Sequence, residues 1–313
     1  MEAERSVLSV PGSRPELFEK AMRSEADIVF LDLEDSVPDA AKDRARQSVR
    51  EALRELDWRG RPRVVRINPL DSPHWLDDLS AIVAGSEGAV DVLILPKANG
   101  PEDVTVVARV LDTMEARLRL DERIRIEAQI ETARGLATVE AIAGASDRLR
   151  ALVFGPGDYA ASVAMPMTAI GTFDRWDEAY GGSRLDYPMQ RMLVAARMWG
   201  LLAIDGPYAD FRDAAGLRRA ALRARALGYD GKWCIHPAQI AVVNEVFTPT
   251  DEEVSWARTV LQAYEEAARE GRGAAAIGAT MIDAASLRMA ERTLARARAA
   301  ARPSGERERS GES

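Results

Sequence analysis

Short runs of Val, Ile and Leu alternate along this chain with longer stretches in which apolar residues recur at helical spacing. Continuous apolar runs, without polar alternation, mark strands buried on both faces, and such strands belong to parallel sheets covered by crossover helices. The runs predict strands at 5–10, 27–32, 63–67, 90–95, 124–130, 151–154, 201–204 and 231–235. Each is followed by turn residues and a helical pattern, with Pro15 opening the first helix and Asp39 preceding the second. Eight such units are the number that closes an α/β barrel, the (β/α)8 TIM barrel.

Two segments stand apart from this rhythm. Residues 161–186, after the sixth strand, form a long predicted loop that carries Phe173, Trp176, Tyr180 and the pair Gly181-Gly182. Loops of that length in compact domains serve as lids or binding loops. Beyond the eighth unit, 251–271 reads as a helix, 271–278 as a small-residue linker and 283–301 as a last helix. The expected organisation is a barrel over 1–247, a C-terminal helical lid extension over 248–301, and a disordered tail over 302–313, where Pro, Gly, Ser and charge replace apolar periodicity.

Composition narrows the functional classes. A length of 313 residues suits one barrel of roughly 250 residues plus an appendage. Hydrophobic residues at 47% and charged residues at 29% allow a sizeable core under a polar surface. The formal charge of −8 argues against a nucleic-acid binder, which needs a basic face. The single cysteine, Cys234, lies in an apolar run and reads as a buried, inert thiol. With no signal-like start and no membrane-length apolar run, the expectation is a cytoplasmic protein whose partners are small molecules, neither nucleic acid nor membrane.

In a barrel the active site forms at the C-terminal ends of the strands. Those ends carry Asp32-Leu-Glu34-Asp35, Arg66 and Asn68, Lys97, Glu131, Asp158, Asp205 and His236. Alternation on the fifth strand points Glu127, Gln129 and Glu131 inward, with Glu131 nearest the mouth. Asp158 follows Gly155-Pro-Gly157, a turn that lets backbone approach a ligand. Two carboxylates from adjacent strands, with only His74 and His236 as imidazoles, suit a hard cation such as Mg2+ better than zinc. The competing reading makes each a solvated acid or the partner of an arginine.

Arg66 can hold a carboxylate bidentately, stabilise a developing enolate oxygen, or form a structural salt bridge. His236 reads better as a hydrogen-bonding residue of the barrel end than as a catalyst, and no base accompanies Cys234. The turn Pro11–Lys20 combines Arg14, Phe18 and Lys20 with a helix start, a place that can receive phosphates. Neither a Gly-x-Ser-x-Gly elbow nor a phosphate loop ending in Gly-Lys-Ser/Thr occurs.

Six motifs then occur together in one order: Leu31-Asp-Leu-Glu-Asp-Ser-Val37, Val65-Arg-Ile-Asn68, Leu95-Pro-Lys97, Ile130-Glu-Thr-Ala-Arg-Gly135, Phe154-Gly-Pro-Gly-Asp-Tyr159 and Cys234-Ile-His-Pro-Ala-Gln239. In this set the chain resembles the citrate lyase β-subunit-like acyl-CoA lyases of the HpcH/HpaI superfamily, over about 5–294. The segment from Arg66 to Pro73 and the insertion after Asp158 are most similar to the malyl-CoA and β-methylmalyl-CoA lyases among them. The resemblance implies that Glu131 and Asp158 bind Mg2+, or Mn2+ in its place, that Arg66 contacts the reacting oxygens, and that Glu34 and Asp35 order metal-bound water. It implies that a coenzyme A thioester lies near Arg14, Phe18 and Lys20. It also implies a catalytic acid/base, Asp283, within Ala279-Thr-Met-Ile-Asp283, where relatives carry Gly-x-Met-x-Asp. Without the resemblance Asp283 reads as a helix N-cap. A homo-oligomer, trimer or hexamer, is implied as well, which leaves open whether Asp283 serves its own site or a neighbour's.

The activity implied is reversible Claisen cleavage of a 3-hydroxyacyl-CoA, such as (S)-malyl-CoA or β-methylmalyl-CoA, to glyoxylate and acetyl-CoA or propionyl-CoA. The alternatives are a citramalyl-CoA or citryl-CoA lyase-like activity, a pyruvate-type metal aldolase that uses no coenzyme A, a malyl-CoA thioesterase, and a non-catalytic barrel subunit.

Overall fold

The computed structural model describes residues 4–301; the tail expected over 302–313 lies outside the described residues. Eight parallel strands close into a barrel: β1 (Ser6–Pro11), β2 (Ile28–Asp32), β3 (Val64–Arg66), β4 (Val92–Leu95), β5 (Arg125–Ile130), β6 (Leu149–Phe154), β7 (Leu202–Asp205) and β8 (Gly231–Cys234), with β8 pairing back onto β1. All eight strands lie where the apolar runs predict them, within two residues at every end. β6 starts two residues earlier, at Leu149, and its Arg150 falls where the β5–β6 register shifts.

Two separate layers of apolar side chains hold the barrel. The interior is filled by Val7, Ile28, Phe30, Val64, Val92, Ile94, Ala151, Val153, Ile204 and Trp233. The outward faces of the strands pack against the helices in a larger cluster that includes Leu8, Val29, Leu31, Val65, Leu93, Ile126, Leu152 and Ala203. Because both strand faces are buried, the sequence shows runs rather than alternation. The inward side chains near the mouth are polar instead, Asp32, Arg66, Gln129 and Glu131, and these are the residues available for chemistry.

The segment after β6 is more ordered than a single long loop. Helix Pro156–Ser162 leaves the strand, and helix Arg175–Tyr180 follows within it, started by the Asp174 carboxylate, which accepts from Trp176 N at 2.9 Å, and ended by left-handed Gly181. Arg184 ties the segment together through Asp174 at 2.8 Å and Asp177 at 3.2 Å.

The expected linker at 271–278 is also corrected. β9 (Ala275–Ile277) and β10 (Thr280–Ile282) form an antiparallel hairpin turned at Gly278, whose φ of 60° suits glycine. Ile282 and Ile277 pack with Val260 and Ala290 in a small core between helix Asp251–Arg269 and helix Ala284–Ala301. Arg296 of the last helix fastens this appendage to the barrel by donating to Asp230 at 2.7 Å. Asp230 directly precedes β8, so the attachment is at the N-terminal end of the barrel. No helix among the described residues is long and apolar enough to cross a membrane.

Candidate active site

Of the acids predicted at the strand ends, Asp32, Glu34, Asp35, Glu131 and Asp158 lie at the mouth, whereas Asp205 is buried against Lys232 at 2.6 Å. β2 ends with Asp32, whose carboxylate takes Arg66 of β3 in a two-pronged pair, Nε and Nη2 both at 2.7 Å. Arg66 Nη1 lies 2.8 Å from Glu34, and its guanidinium sits 5.3 Å from the Trp233 ring centroid. The structural salt bridge considered for Arg66 is therefore real, and it anchors the side chain in a fixed orientation. Burial alone would lower the pKa of Arg66, but Asp32 and Glu34 outweigh it and keep the guanidinium charged. Asp32 is held below the usual carboxylate range, since Arg66 overcomes the cost of its burial.

Lys97, at the turn after β4, completes the arrangement. Its ammonium pairs with Glu34 and lies 3.3 Å from Asp35, and its backbone N–H donates to Glu131 Oε1 at 2.8 Å. The other Glu131 oxygen accepts from Gln129 Nε2. Glu131 is 1% exposed. Burial and the nearby charges of Glu34 and Asp158 push its carboxyl up to about 8. Glu34, 2% exposed, is raised as well, by burial first, against the pull of Arg66 and Lys97. Asp158 stands in the first turn of helix Pro156–Ser162, half-buried. A Cβ at Gly155 would collide with the Glu131 side chain, which explains the glycine between the two acids.

These observations fit a divalent cation. Acids outnumber bases in the cluster, and the electrostatic strain on Glu131 is what a positive charge beside it would relieve. Glu131 and Asp158 supply hard oxygen ligands of the type Mg2+ prefers, with further positions left for water and substrate. No group of three or more His, Cys, Asp and Glu side chains suited to a metal occurs among the described residues.

The remaining expected site residues are placed differently. Arg14 and Lys20 are exposed near the mouth end of β1, Arg14 paired with Glu16. Phe18 requires a correction: at 4% exposed it is part of the core with Ala21 and Met22, so it supports the turn and offers no ring to coenzyme A. Asp35 is exposed. Asp283 caps the last helix, its Oδ1 accepting from Ala285 N and Ser286 N, each at 3.0 Å, and these bonds lower its pKa. Among the described residues no hydrogen bond or ion pair joins Asp283 to the acid cluster.

Cys234 is buried, with its thiol pushed up to about 12 by burial, and the exposed His236 accepts from Ala238 N through Nδ1 while stacking on Phe211. Sequence reasoning missed the bracing beneath the cluster. Lys42 donates to Leu33 O, Glu34 O and Asn68 Oδ1 at 2.6–2.9 Å, while Asp78 accepts from Asn68 and Arg46.

The closed barrel with an acidic mouth is a (β/α)8 architecture. The chain belongs to the HpcH/HpaI aldolase/citrate lyase family, whose profile matches residues 5–237. It is 41% identical to the L-malyl-CoA/β-methylmalyl-CoA lyase of Rhodobacter capsulatus over 92% of each chain. It is 36% identical to a (3S)-malyl-CoA thioesterase of Cereibacter sphaeroides over 95% of each. Among solved structures it resembles CitE of Mycobacterium tuberculosis, crystallised with magnesium, acetoacetate and coenzyme A, with a TM-score of 0.75, 36% identity and coverage of 94% of this chain and 98% of that one.

Proposed function

We propose that this chain is a magnesium-dependent carbon–carbon lyase of coenzyme A thioesters, cleaving a 3-hydroxyacyl-CoA such as (S)-malyl-CoA or β-methylmalyl-CoA to glyoxylate and acetyl-CoA or propionyl-CoA. Similarity across nine-tenths of its length to a lyase of that activity supports the reading. The observation that carries it is the placing of Glu131, directly after β5, and Asp158, in the first turn of the helix after the neighbouring β6, at the mouth where the Arg66 guanidinium is fixed.

When bound, Mg2+ acts as a Lewis acid on the oxygens next to the scissile bond. Glu131 and Asp158 would hold it; the orientation of Glu131 is set by Lys97 N–H and Gln129, and the absence of a side chain at Gly155 leaves room for its carboxylate. Arg66 faces the oxygen on which negative charge develops as the bond breaks, and its bonds to Asp32 keep it from reorganising during the step. Glu34 and Asp35 order water at the mouth. Arg14 and Lys20, two exposed cations beside a helix start, take the phosphates of coenzyme A.

Asp283 moves the proton: in the condensing direction it removes the α-proton of the thioester, which requires losing its cap bonds to Ala285 and Ser286 and being desolvated. The appendage that carries it is fastened to the N-terminal end of the barrel, which favours service to the site of a neighbouring subunit in a homo-oligomer, a trimer or hexamer. We place the enzyme in the cytoplasm.

Purified protein with Mg2+, incubated with acetyl-CoA or propionyl-CoA and with glyoxylate, pyruvate or oxaloacetate in turn, tests the reading by mass spectrometry of the thioesters. A new 3-hydroxyacyl-CoA with glyoxylate is expected. Absence of any condensation product contradicts it. The similarity to a thioesterase gives a second reading, which release of free coenzyme A from malyl-CoA without glyoxylate would favour.

A further inference from the structure

Lys97 has φ 49°, in the left-handed region where side chains other than Gly, Asn and Asp are uncommon. It follows Pro96 in the turn Leu95-Pro-Lys-Ala98; proline is common in the second position of a type II turn, whose third residue takes positive φ and is normally glycine. A lysine there is strained, and such strain persists at sites where surrounding contacts over-determine the conformation. Two contacts do so here. The backbone N–H donates to Glu131 Oε1 at 2.8 Å, and the ammonium pairs with Glu34 while lying 3.3 Å from Asp35.

We infer that Lys97 is a positioning residue with two separable tasks. Its left-handed backbone aims the N–H at Glu131 and fixes the plane of that carboxylate; its ammonium clamps Glu34 against Arg66. The inference rests on Glu131 and Asp158 being the magnesium ligands. The first task follows from the bonding of Glu131. Each of its oxygens accepts one hydrogen bond, from Lys97 N and from Gln129 Nε2, so both bonds together leave the carboxylate one orientation. A ligand already fixed in place loses less freedom on taking the ion.

The second task follows from charge. Glu34 is nearly fully buried between Arg66 Nη1, at 2.8 Å, and Lys97, so removing the ammonium leaves a buried carboxylate half-compensated and pulls on the guanidinium. Lys97 also lines a cavity of about 360 Å³ with Asn99 and Arg134, so its ammonium sits where the buried cluster meets open space.

Three variants separate the tasks, read by Mg2+ titration calorimetry on the whole protein and by kcat and KM at saturating Mg2+. Lys97→Gly keeps the favoured backbone and loses the ammonium. Its Mg2+ Kd should stay within about twofold of the parent while kcat falls about 10–100-fold, the range typical of residues that orient a metal ligand or catalytic group. Lys97→Met should lose kcat to the same degree. Lys97→Val, whose β-branch resists positive φ, should lose kcat and also weaken Mg2+ by about 10–100-fold. Where the valine variant does not fold, Lys97→Ala replaces it, with Mg2+ affinity expected below that of the glycine variant.

Equal Mg2+ affinity of the glycine and valine (or alanine) variants overturns the backbone task. Unchanged kcat in Lys97→Met overturns the ammonium task. A parent protein that takes up no Mg2+ in the same titration overturns the ligand assignment itself, a result distinct from either.

Discussion

At the N-terminal end of the barrel, acids and bases are matched. Asp27 receives Arg5 at 2.7 Å, Arg148 lies buried on Glu115 and Asp112 at 2.5 Å each, and Asp230 binds Arg197 and Arg296 at 2.7 Å. At the C-terminal end, Asp32, Glu34, Asp35 and Glu131 gather around two cations, Arg66 and Lys97, with Asp158 acting on Glu131. One end is closed electrostatically and the other is short of positive charge. A fold tolerates that deficit where something else supplies the charge, and conservative changes at the two ends should therefore separate stability from catalysis.

The largest effect is expected from Asp283→Asn, which removes the proposed proton carrier: kcat should fall about 10²–10⁴-fold with Mg2+ affinity unchanged. Mixing this variant with Arg66→Lys subunits should restore activity if Asp283 serves a neighbour; unchanged turnover in the single variant removes Asp283 from the mechanism. Next comes Arg66→Lys, which keeps a charge but loses the two-pronged hold on Asp32, and kcat should fall about 10²–10³-fold.

At the opposite end, Arg148→Met leaves Glu115 buried and unpaired. Urea unfolding should show a loss of about 3–5 kcal/mol with kcat unchanged in the folded fraction. A fall in kcat there without a loss of stability would break the division between the two ends.

The smallest effect concerns Glu127, which burial pushes up to about 7. The unfolded chain ionises this carboxyl near the usual glutamate value, so between there and about pH 7 the folded state holds the extra proton. Its contribution to stability is thus present at low pH and lost as pH rises through about 7, and a Glu127→Gln variant should show a flatter decline of stability over that window, measured by urea unfolding at each pH.

The barrel was legible because strands buried on both faces leave uninterrupted apolar runs, as in Ile28-Val-Phe-Leu31 and Val92-Leu-Ile-Leu95. The hairpin at 275–282 was not, since strands of three residues give too short a pattern beside glycine and alanine. At the site, Glu131 and Gln129 followed from alternation along β5, whereas Lys97 holding Glu34 and Lys42 bracing Asn68 are contacts between distant segments with no local signal. Phe18 was misjudged beside Arg14 and Lys20, although its spacing to Ala21 and Met22, three and four residues on, already marked a buried helical face.

The most direct test is crystallographic. Crystals soaked in Mn2+, standing in for Mg2+, should give an anomalous peak coordinated by one oxygen each of Glu131 and Asp158. A peak held by other residues, or none at a concentration that supports turnover, would contradict the assignment of these two acids as the cation's ligands.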